Sequence, residues 1–171
     1  AYLSLTGHRS WEKFVPAVYL WNDPGVRLGI LQGLLDTDGT ILKHSNSVSY
    51  STTSDRLAEG VEFLVRSLGG LTKRRMRQTH YTYKGKRRAG RPSYHLSIRL
   101  PNGVPPFRLS RKAQIVAPKG RRNEPRRFIV GVEPAGYEGG VCIKVAHPSS
   151  LYVATEQFIV THNTTAGIFA P

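Results

Sequence analysis

The chain has 171 residues, a formal net charge of +14 and a single cysteine. The length allows one domain or two small ones. The lone cysteine excludes a disulfide framework and favours a reducing, intracellular compartment. No apolar run approaches the roughly 20 residues of a membrane-spanning helix. A charge this large indicates a polyanionic partner, and without a basic amphipathic helix it favours nucleic acid over a membrane surface.

The first predicted elements lie before residue 71. Apolar residues over 26–38 predict a buried helix that ends at Gly39, and residues 40–43 and 47–52 have the pattern of short strands. Ser54 is a suitable N-cap for a second helix. The apolar residues of this helix recur at helical spacing, and two glycines follow them: Leu57, Val61, Leu64 and Leu68, then Gly69 and Gly70.

Positive charge is concentrated in the next part of the chain. Residues 66–127 hold 19 of the 25 Lys and Arg residues and one acid, Glu124. Predicted strands near 71–83 and 93–100 flank a glycine-rich turn, which indicates a β-hairpin. A two-stranded ribbon fits the major groove of double-stranded DNA, where Arg reaches phosphates and guanine edges; a solvated, highly charged loop is the alternative. The basic side chains that would contact DNA are Arg74, Arg75, Arg77, Lys84, Lys86, Arg87, Arg88 and Arg91.

A shorter helix near 107–116 follows the Pro-rich break at 101–106. The order helix, two strands, helix, two strands, helix predicts an α+β fold, with an antiparallel saddle-shaped sheet and helices on one of its faces. Four further strands are predicted in the last third of the chain, at 127–133, 141–145, 151–153 and 158–160.

Residues 31–39, LQGLLDTDG, resemble the LAGLIDADG motif of homing endonucleases, and the flanking KFVPAVYL and LVRSLGG segments match that family too. The resemblance implies that Gly33 lets two such helices pack closely and that Asp38 presents a metal-binding carboxylate to DNA. It also implies that Lys13 is the basic active-site residue, whereas Asp36 is interpreted as structural. A carboxylate at a helix C-terminus is unfavourable unless a nearby cation compensates its charge. A Mg²⁺ ion bound by Asp38 and the scissile phosphates would be that cation.

One such motif is half of an enzyme, because the family uses two copies in a dimer or in one pseudo-symmetric chain. The upstream context resembles a second copy, and the chain does not start like a natural N-terminus, so the first copy is expected in a missing N-terminal half or companion chain. Two alternatives stay open: a free-standing LAGLIDADG homing endonuclease, and a DNA-binding module with an inactive nuclease. A calcium loop is disfavoured, because the twelfth position counted from Asp36 is Ser47.

Residues 141–164, VCIKVAHPSSLYVATEQFIVTHNT, resemble the last two conserved blocks of inteins, which are self-splicing HINT domains. In that chemistry the Asn163 amide attacks its own carbonyl carbon and breaks the bond to Thr164. An amide is a poor nucleophile, so His162, which titrates near neutrality, is the expected acid/base. The Thr164 hydroxyl would receive the upstream acyl group. Splicing of this kind needs no metal.

Three further residues near the junction are ambiguous. A lone Cys142 in a strand is usually a small buried apolar residue. Together with Thr161, however, it resembles class 3 inteins, in which an internal Cys is the first nucleophile. His147 lies three residues before Ser150, where many inteins have a second His; it is either an ordinary loop residue or an assistant to Asn163.

The sequence therefore predicts three parts: a LAGLIDADG endonuclease half at 1–120, the C-terminal part of a splicing domain at 121–163, and host protein, or extein, at 164–171. The last part, TTAGIFAP, could continue the start of a P-loop helix. A P-loop ATPase, such as a helicase or phage terminase in a bacterial or phage host, is the expected host protein.

Overall fold

The structure, a computed structural model, describes residues 5–41, 48–116, 124–134, 136–137, 139 and 143–162. The chain divides into two compact units, Ala1–Pro125 and Arg126–Pro171, and each is described by itself. Among the described residues, no helix has both the length and the apolar character required to cross a membrane.

The first unit has the predicted order of elements, preceded by a one-turn helix that the sequence did not indicate. The elements are α1 (Ala17–Leu20), α2 (Pro24–Asp38), β1 (Gly39–Ile41), β2 (Val48–Thr52), α3 (Asp55–Ser67), β3 (Leu71–Tyr83), β4 (Lys86–Arg99) and α4 (Ser110–Val116).

The four strands form one antiparallel sheet in the order β1-β2-β4-β3. β3 and β4 make a long ribbon, whose turn residues Lys84 and Gly85 both have positive φ, 49° and 71°. The sequence predicted β3 correctly but started the second arm at residue 93. Gly90 and Pro92 read as a break, whereas the ladder absorbs them with a register shift between Gln78 and His80.

The core lies between one face of this sheet and the helices. Buried Leu31 and Leu35 of α2 belong to the same cluster as Tyr50 of β2 and Leu96 of β4. Ser54 begins α3 as predicted, because its Oγ accepts a hydrogen bond from the Leu57 N–H at 3.1 Å. The predicted α+β class is therefore confirmed.

Gly39 ends α2 as predicted, although it does not adopt the left-handed conformation that is common for a glycine after a helix. Its backbone is extended, with φ −75° and ψ 142°, and it passes directly into β1 opposite Tyr50. A Cβ at this position would lie 2.9 Å from Leu35 Cα. The residue is therefore small because the strand leaves the helix at close quarters.

In the second unit, β5 (Leu151–Ala154) pairs antiparallel with β6 (Ile159–His162). The predicted strand at 151–153 is confirmed, and that at 158–160 starts one residue later because Phe158 takes a turn conformation with φ 54°. Residues 127–133 and 143–145 are described without strand pairing, and residues 141–142 lie outside the described residues. Alternation gives a segment strand propensity, but a strand also needs a ladder partner.

Candidate active site and nucleic-acid interface

Asp38 and Lys13 line the same open cavity of about 300 Å³ in the first unit. Asp38 ends α2, and Lys13 lies in the segment that precedes α1. Both side chains are exposed, so both are accessible to a substrate. The hydroxyl-bearing residues around them are Ser10, Tyr50, Ser51, Thr52, Thr53 and Ser93.

The negative end of α2 already has a cation that the sequence did not indicate. Lys112 of α4 donates from Nζ to the carbonyl oxygens of Leu35, Asp36 and Gly39 at 2.9, 2.8 and 2.7 Å. Basic side chains at helix C-termini stabilise the orphan carbonyls and the dipole. The helix dipole alone therefore does not require a metal beside Asp38.

Replacing Lys112 by Met is expected to destabilise the first unit by about 1–3 kcal/mol, because three carbonyl groups lose a charged donor. The control is Arg111→Met, which removes an adjacent, exposed cation. Both tryptophans, Trp11 and Trp21, belong to the first unit, so tryptophan fluorescence during urea unfolding reports on it. Equal stability of the two variants would contradict the capping role.

Asp36 has a structural position, in line with its interpretation from sequence. Its carboxylate accepts hydrogen bonds from the backbone N–H groups of Arg108 and Leu109, at 3.2 and 3.3 Å. These bonds hold the segment that enters α4, and α4 carries Lys112. The two carboxylates of the motif thus differ, since Asp36 anchors the chain and Asp38 faces the cavity.

Tyr50 lies under the cavity, opposite Gly39 in the β1–β2 ladder. Burial, and to a lesser extent the Asp38 carboxylate, raises the pKa of Tyr50 to about 12. The neutral phenol is favoured in the folded state, so this residue contributes stability in full below its unfolded pKa of about 10. That contribution is lost as the pH rises through the folded pKa.

The free energy of unfolding should therefore fall by roughly 2–3 kcal/mol more between pH 9 and pH 12 in the wild type than in Tyr50→Phe. Urea unfolding monitored by tryptophan fluorescence at several pH values measures the difference. Tyr83→Phe, which alters an exposed phenol on the ribbon, is the control and should follow the wild type. Parallel pH profiles for Tyr50→Phe and wild type would refute the assignment.

The donor set around Asp38 fits a magnesium ion shared with substrate. Mg²⁺ prefers oxygen ligands, retains several waters, and is commonly bound by one or two carboxylates together with phosphate oxygens. Asp38 supplies one exposed carboxylate among hydroxyl groups. Across the described ranges, no three His, Cys, Asp or Glu side chains come together, so these residues do not form a complete cage by themselves.

The β3–β4 register divides the basic side chains between the two faces of the sheet. Leu96 is buried against the helices, and Arg74 is its direct partner on β3. Directly opposed residues share a face, and neighbours along a strand alternate. Arg75, paired with His95, and Lys73, paired with Ser97, therefore point away from the helices. This second face, which also carries Arg77, is the candidate nucleic-acid surface.

Arg74 lies on the other face of the sheet and pairs with acidic residues of α3. It forms ion pairs with Asp55 and, at 3.6 Å, with the largely buried Glu62, and its guanidinium lies 4.3 Å from the Tyr94 ring centroid. The sequence grouped it with the DNA-contacting residues because spacing alone does not tell which neighbours pair. The structure separates it from Arg75 and Arg77.

We expect Arg75→Ala to reduce the slope of log affinity against log salt by about 1, since one phosphate contact is lost. Arg74→Ala should leave that slope unchanged and instead destabilise the first unit by about 1–3 kcal/mol. Binding of the chain to a mixed-sequence DNA duplex at several salt concentrations, with urea unfolding of both variants, measures the two effects. A slope change in Arg74→Ala would return that residue to the DNA surface.

The ribbon tip combines cations with an exposed aromatic ring. Tyr83 is 51% exposed, and Lys84 Nζ and Arg88 Cζ lie 5.6 and 5.3 Å from its ring centroid. Lys86 and Arg87 are exposed on the same turn-proximal part of β4. Arg91 lies further down, where its guanidinium is 3.7 Å from the centroid of Trp11.

The predicted junction is only partly described. His162 ends β6 opposite Leu151, and Thr161 is opposite Tyr152. His147 belongs to a tight turn in which its Nδ1 accepts the Ser149 N–H at 3.2 Å. Asn163, Thr164 and Cys142 lie outside the described residues, so the roles of all these residues stay predictions.

The ribbon bulge, the Lys112 cap and the Arg74 ion pairs all depend on contacts between distant parts of the chain. The only local signal for any of them was the Gly90–Pro92 interruption of β4.

Comparison with known proteins identifies relatives for both units. The chain is 33% identical over 160 residues to the replicative DNA helicase DnaB of Mycobacterium intracellulare, a match that covers 92% of this chain and 27% of the relative. It is 43% identical over 68 residues to the ATP-dependent DNA helicase Hel308 of Thermococcus kodakarensis, covering 37% of this chain and 6% of the relative. The chain thus spans about a quarter or less of the length of these relatives.

A family model described as "LAGLIDADG-like domain" matches residues 25–99. Residues 25–99, with the antiparallel sheet and α2, are therefore a LAGLIDADG-like domain.

Proposed function

We propose that the first unit is one half of a site-specific DNA endonuclease that hydrolyses phosphodiester bonds with Mg²⁺. The observation that carries the proposal is the shared cavity of Asp38 and Lys13. Two residues of opposite charge line this cavity, and Asp38 belongs to a LAGLIDADG-like domain, a class of domain that binds DNA. The basic outer face of the sheet supplies the electrostatic attraction that such a substrate needs.

The residues of the cavity divide the work. Asp38 would hold the ion together with a phosphate oxygen, and the bound ion would supply Lewis-acid stabilisation of the negative charge that develops at phosphorus. Lys13 would hold the same phosphate and donate a proton to the departing sugar oxygen. Tyr50, whose phenol is kept neutral, lines the same cavity and would restrict the orientations of the Asp38 carboxylate.

The second half of this enzyme would pack on the uncovered face of α2. Gly33 is exposed, and among the described residues no atom beyond its chain neighbours and the backbone of its own helix lies within 4 Å of the position of a Cβ, while Val26 is 38% exposed. A small residue on an uncovered helix face allows close approach of a second helix. A complementary half with its own motif would supply the second carboxylate.

The test is DNA cleavage by the chain combined with its complementary half, meaning the segment with the first motif. Its substrate is the duplex selected for cleavage from a random-sequence library. We expect cleavage with Mg²⁺ and none with EDTA, while DNA binding persists in both. Binding without cleavage under every metal condition would favour the alternative of a DNA-binding module with an inactive nuclease.

We further propose that the chain is the C-terminal part of an intein whose second unit takes part in protein splicing. A match over 92% of the chain must continue well beyond residue 99, where the LAGLIDADG-like domain ends. Segments of two differently named helicases from two organisms match this chain, one over 92% and the other over 37% of its length, as expected for an element that is inserted into different host proteins. An independent homing endonuclease would leave the His162-Asn163-Thr164 sequence without a role.

In the splicing reaction, the Thr164 hydroxyl would attack the carbonyl carbon through which the upstream flank is attached to the intein. An ester at Thr164 forms while that attachment breaks, and the released intein group takes the hydroxyl proton. The Asn163 side-chain nitrogen would then attack its own carbonyl carbon, giving a succinimide. The bond to the Thr164 nitrogen breaks, and His162 supplies the proton that this amine takes. The freed Thr164 amine finally attacks the ester carbonyl. The ester C–O bond breaks, the Thr164 hydroxyl is regenerated with the amine's proton, and the two flanks are joined by an amide.

The exposed apolar segment at 127–133 would take up its strand partners in the assembled splicing domain. Val130 is 99% exposed and Ile129 is 88% exposed, and such residues are normally covered.

Intact-mass measurement after co-expression with the complementary half tests splicing directly. A ligated product of the two flanks supports it, and unchanged masses of both chains contradict it. A helicase with a P-loop is the host that we propose.

A further inference from the structure

The bulge in the β3–β4 ribbon contains hydrogen bonds from β3 side chains to β4 carbonyl groups. Gln78 Nε2 donates to the Gly90 carbonyl at 2.6 Å, and Thr79 Oγ1 donates to the Arg91 carbonyl at 2.6 Å. A Cβ on Gly90 would collide with Thr79 Oγ1. Bulges redirect a side chain out of the regular alternation, and these bonds fix the backbone from which Arg91 extends.

Arg91 extends from the bulge onto the indole of Trp11. Its Cζ lies 3.7 Å from the ring centroid, and the Cζ of Arg9 lies 5.3 Å from the same centroid. A guanidinium stacked on an aromatic ring keeps its N–H edge available for a phosphate. The contact joins the DNA-facing ribbon to a segment that is far from it in sequence.

That segment also carries Lys13 into the cavity. The Lys13 carbonyl accepts a hydrogen bond from Ser54 Oγ, and Thr53 Oγ1 donates to Ser10 Oγ at 3.3 Å. Ser10 and Lys13 line the cavity with Asp38. In the sequence, Trp11 therefore lies between two cavity residues, Ser10 and Lys13. Its stacking contact with Arg91 connects this segment to β4 of the ribbon.

We propose that Trp11 is a positioning residue through which Arg91, on taking up a DNA phosphate, fixes Lys13 in the cavity. The inference rests on the proposed nuclease function. DNA bound along the ribbon would order Arg91, the stack would order residues 10–13, and the Lys13 ammonium would then meet the scissile phosphate beside Asp38. Docking and catalysis would be coupled by one aromatic contact.

The first test uses Trp11 as its own reporter. In a Trp21→Phe background, Trp11 is the single tryptophan of the chain, and its emission is followed during titration with a mixed-sequence DNA duplex in EDTA. We expect the emission to change on binding, and Arg91→Lys to remove most of that change. Arg99→Lys, the matched substitution of an exposed arginine at the other end of the same strand, should leave it intact. Binding without any emission change, or equal behaviour of the two variants, would overturn the proposal.

The second test follows Lys13 itself and does not require cleavage. Acylation of the Lys13 amine by a water-soluble succinimidyl ester, mapped by mass spectrometry, should be slowed by DNA several-fold in the wild type. In Trp11→Ala that protection should be lost, and Trp11→Phe should restore it. Equal protection of Lys13 in the wild type and Trp11→Ala would contradict the positioning role.

The cleavage consequence is specific as well. With the complementary half present, Trp11→Ala should lower kcat by about 10- to 100-fold, as expected for a displaced catalytic group, with little change in KM. A rise in KM alone would mean that Trp11 serves binding only and would overturn the proposal. If the wild type does not cleave, the nuclease proposal fails, whereas the emission and acylation results still decide the Trp11 coupling.

Discussion

Asp38→Asn is expected to lower Mg²⁺-dependent DNA cleavage by about 10³-fold or more, because a lost metal ligand removes several kcal/mol of transition-state stabilisation. Asn keeps the shape of the side chain but removes the charge that attracts the ion. DNA affinity in EDTA should be unchanged or slightly higher, since one negative charge has left the surface. Single-turnover cleavage and binding in EDTA measure the two quantities separately.

The neighbouring carboxylate is a matched control for this prediction. Asp36→Asn alters the same motif, but its side chain accepts hydrogen bonds from the backbone of Arg108 and Leu109. We expect Asp36→Asn to destabilise the first unit by about 1–3 kcal/mol, with cleavage recovering at low temperature. If Asp36→Asn abolished cleavage in a fully folded protein while Asp38→Asn did not, the assigned roles of the two acids would be reversed.

Asn163→Ala is expected to stop release of residues 164–171 completely, because the side-chain amide is the nucleophile of the cyclisation. The wild type, co-expressed with the complementary half, should yield the excised chain and a ligated flank. The variant should accumulate as a precursor or as a branched ester at Thr164. Intact mass distinguishes these species, and hydroxylamine cleaves the ester and leaves amides.

Two further variants locate the earlier steps of splicing. His162→Ala should slow the cyclisation strongly without stopping ester formation at Thr164, since the histidine serves the leaving amine. Cys142→Ala tests the resemblance to class 3 inteins. Loss of all ester intermediates would make Cys142 the first nucleophile, whereas continued ester formation at Thr164 would favour a small buried apolar residue. Release of residues 164–171 from Asn163→Ala at the wild-type rate would refute the cyclisation mechanism altogether.

The sequence predicted the order of the elements from α2 to α4, although not α1 or the start of β4, because the signals for these elements are local. Ser54 caps α3 through its own side chain, and the apolar spacing of Leu57, Val61 and Leu64 depends only on helix geometry. The resemblance to LAGLIDADG endonucleases predicted Asp38 from the motif and Lys13 from the flanking KFVPAVYL segment, each without knowledge of the other's position. The fold class followed from the order of these elements, and it needed no knowledge of their contacts.

Only the tertiary structure decided how distant residues meet. The sequence could not indicate that Lys112 caps α2, that Arg74 pairs with α3, or that Arg91 stacks on Trp11. An exposed Lys or Arg has nearly the same local pattern whether it binds DNA, an acid or a ring. Side-chain direction depends on ladder register, and a single bulge changes which face a residue occupies. Local propensity therefore fixed what forms, and register and long-range packing fixed which charges remain available to DNA.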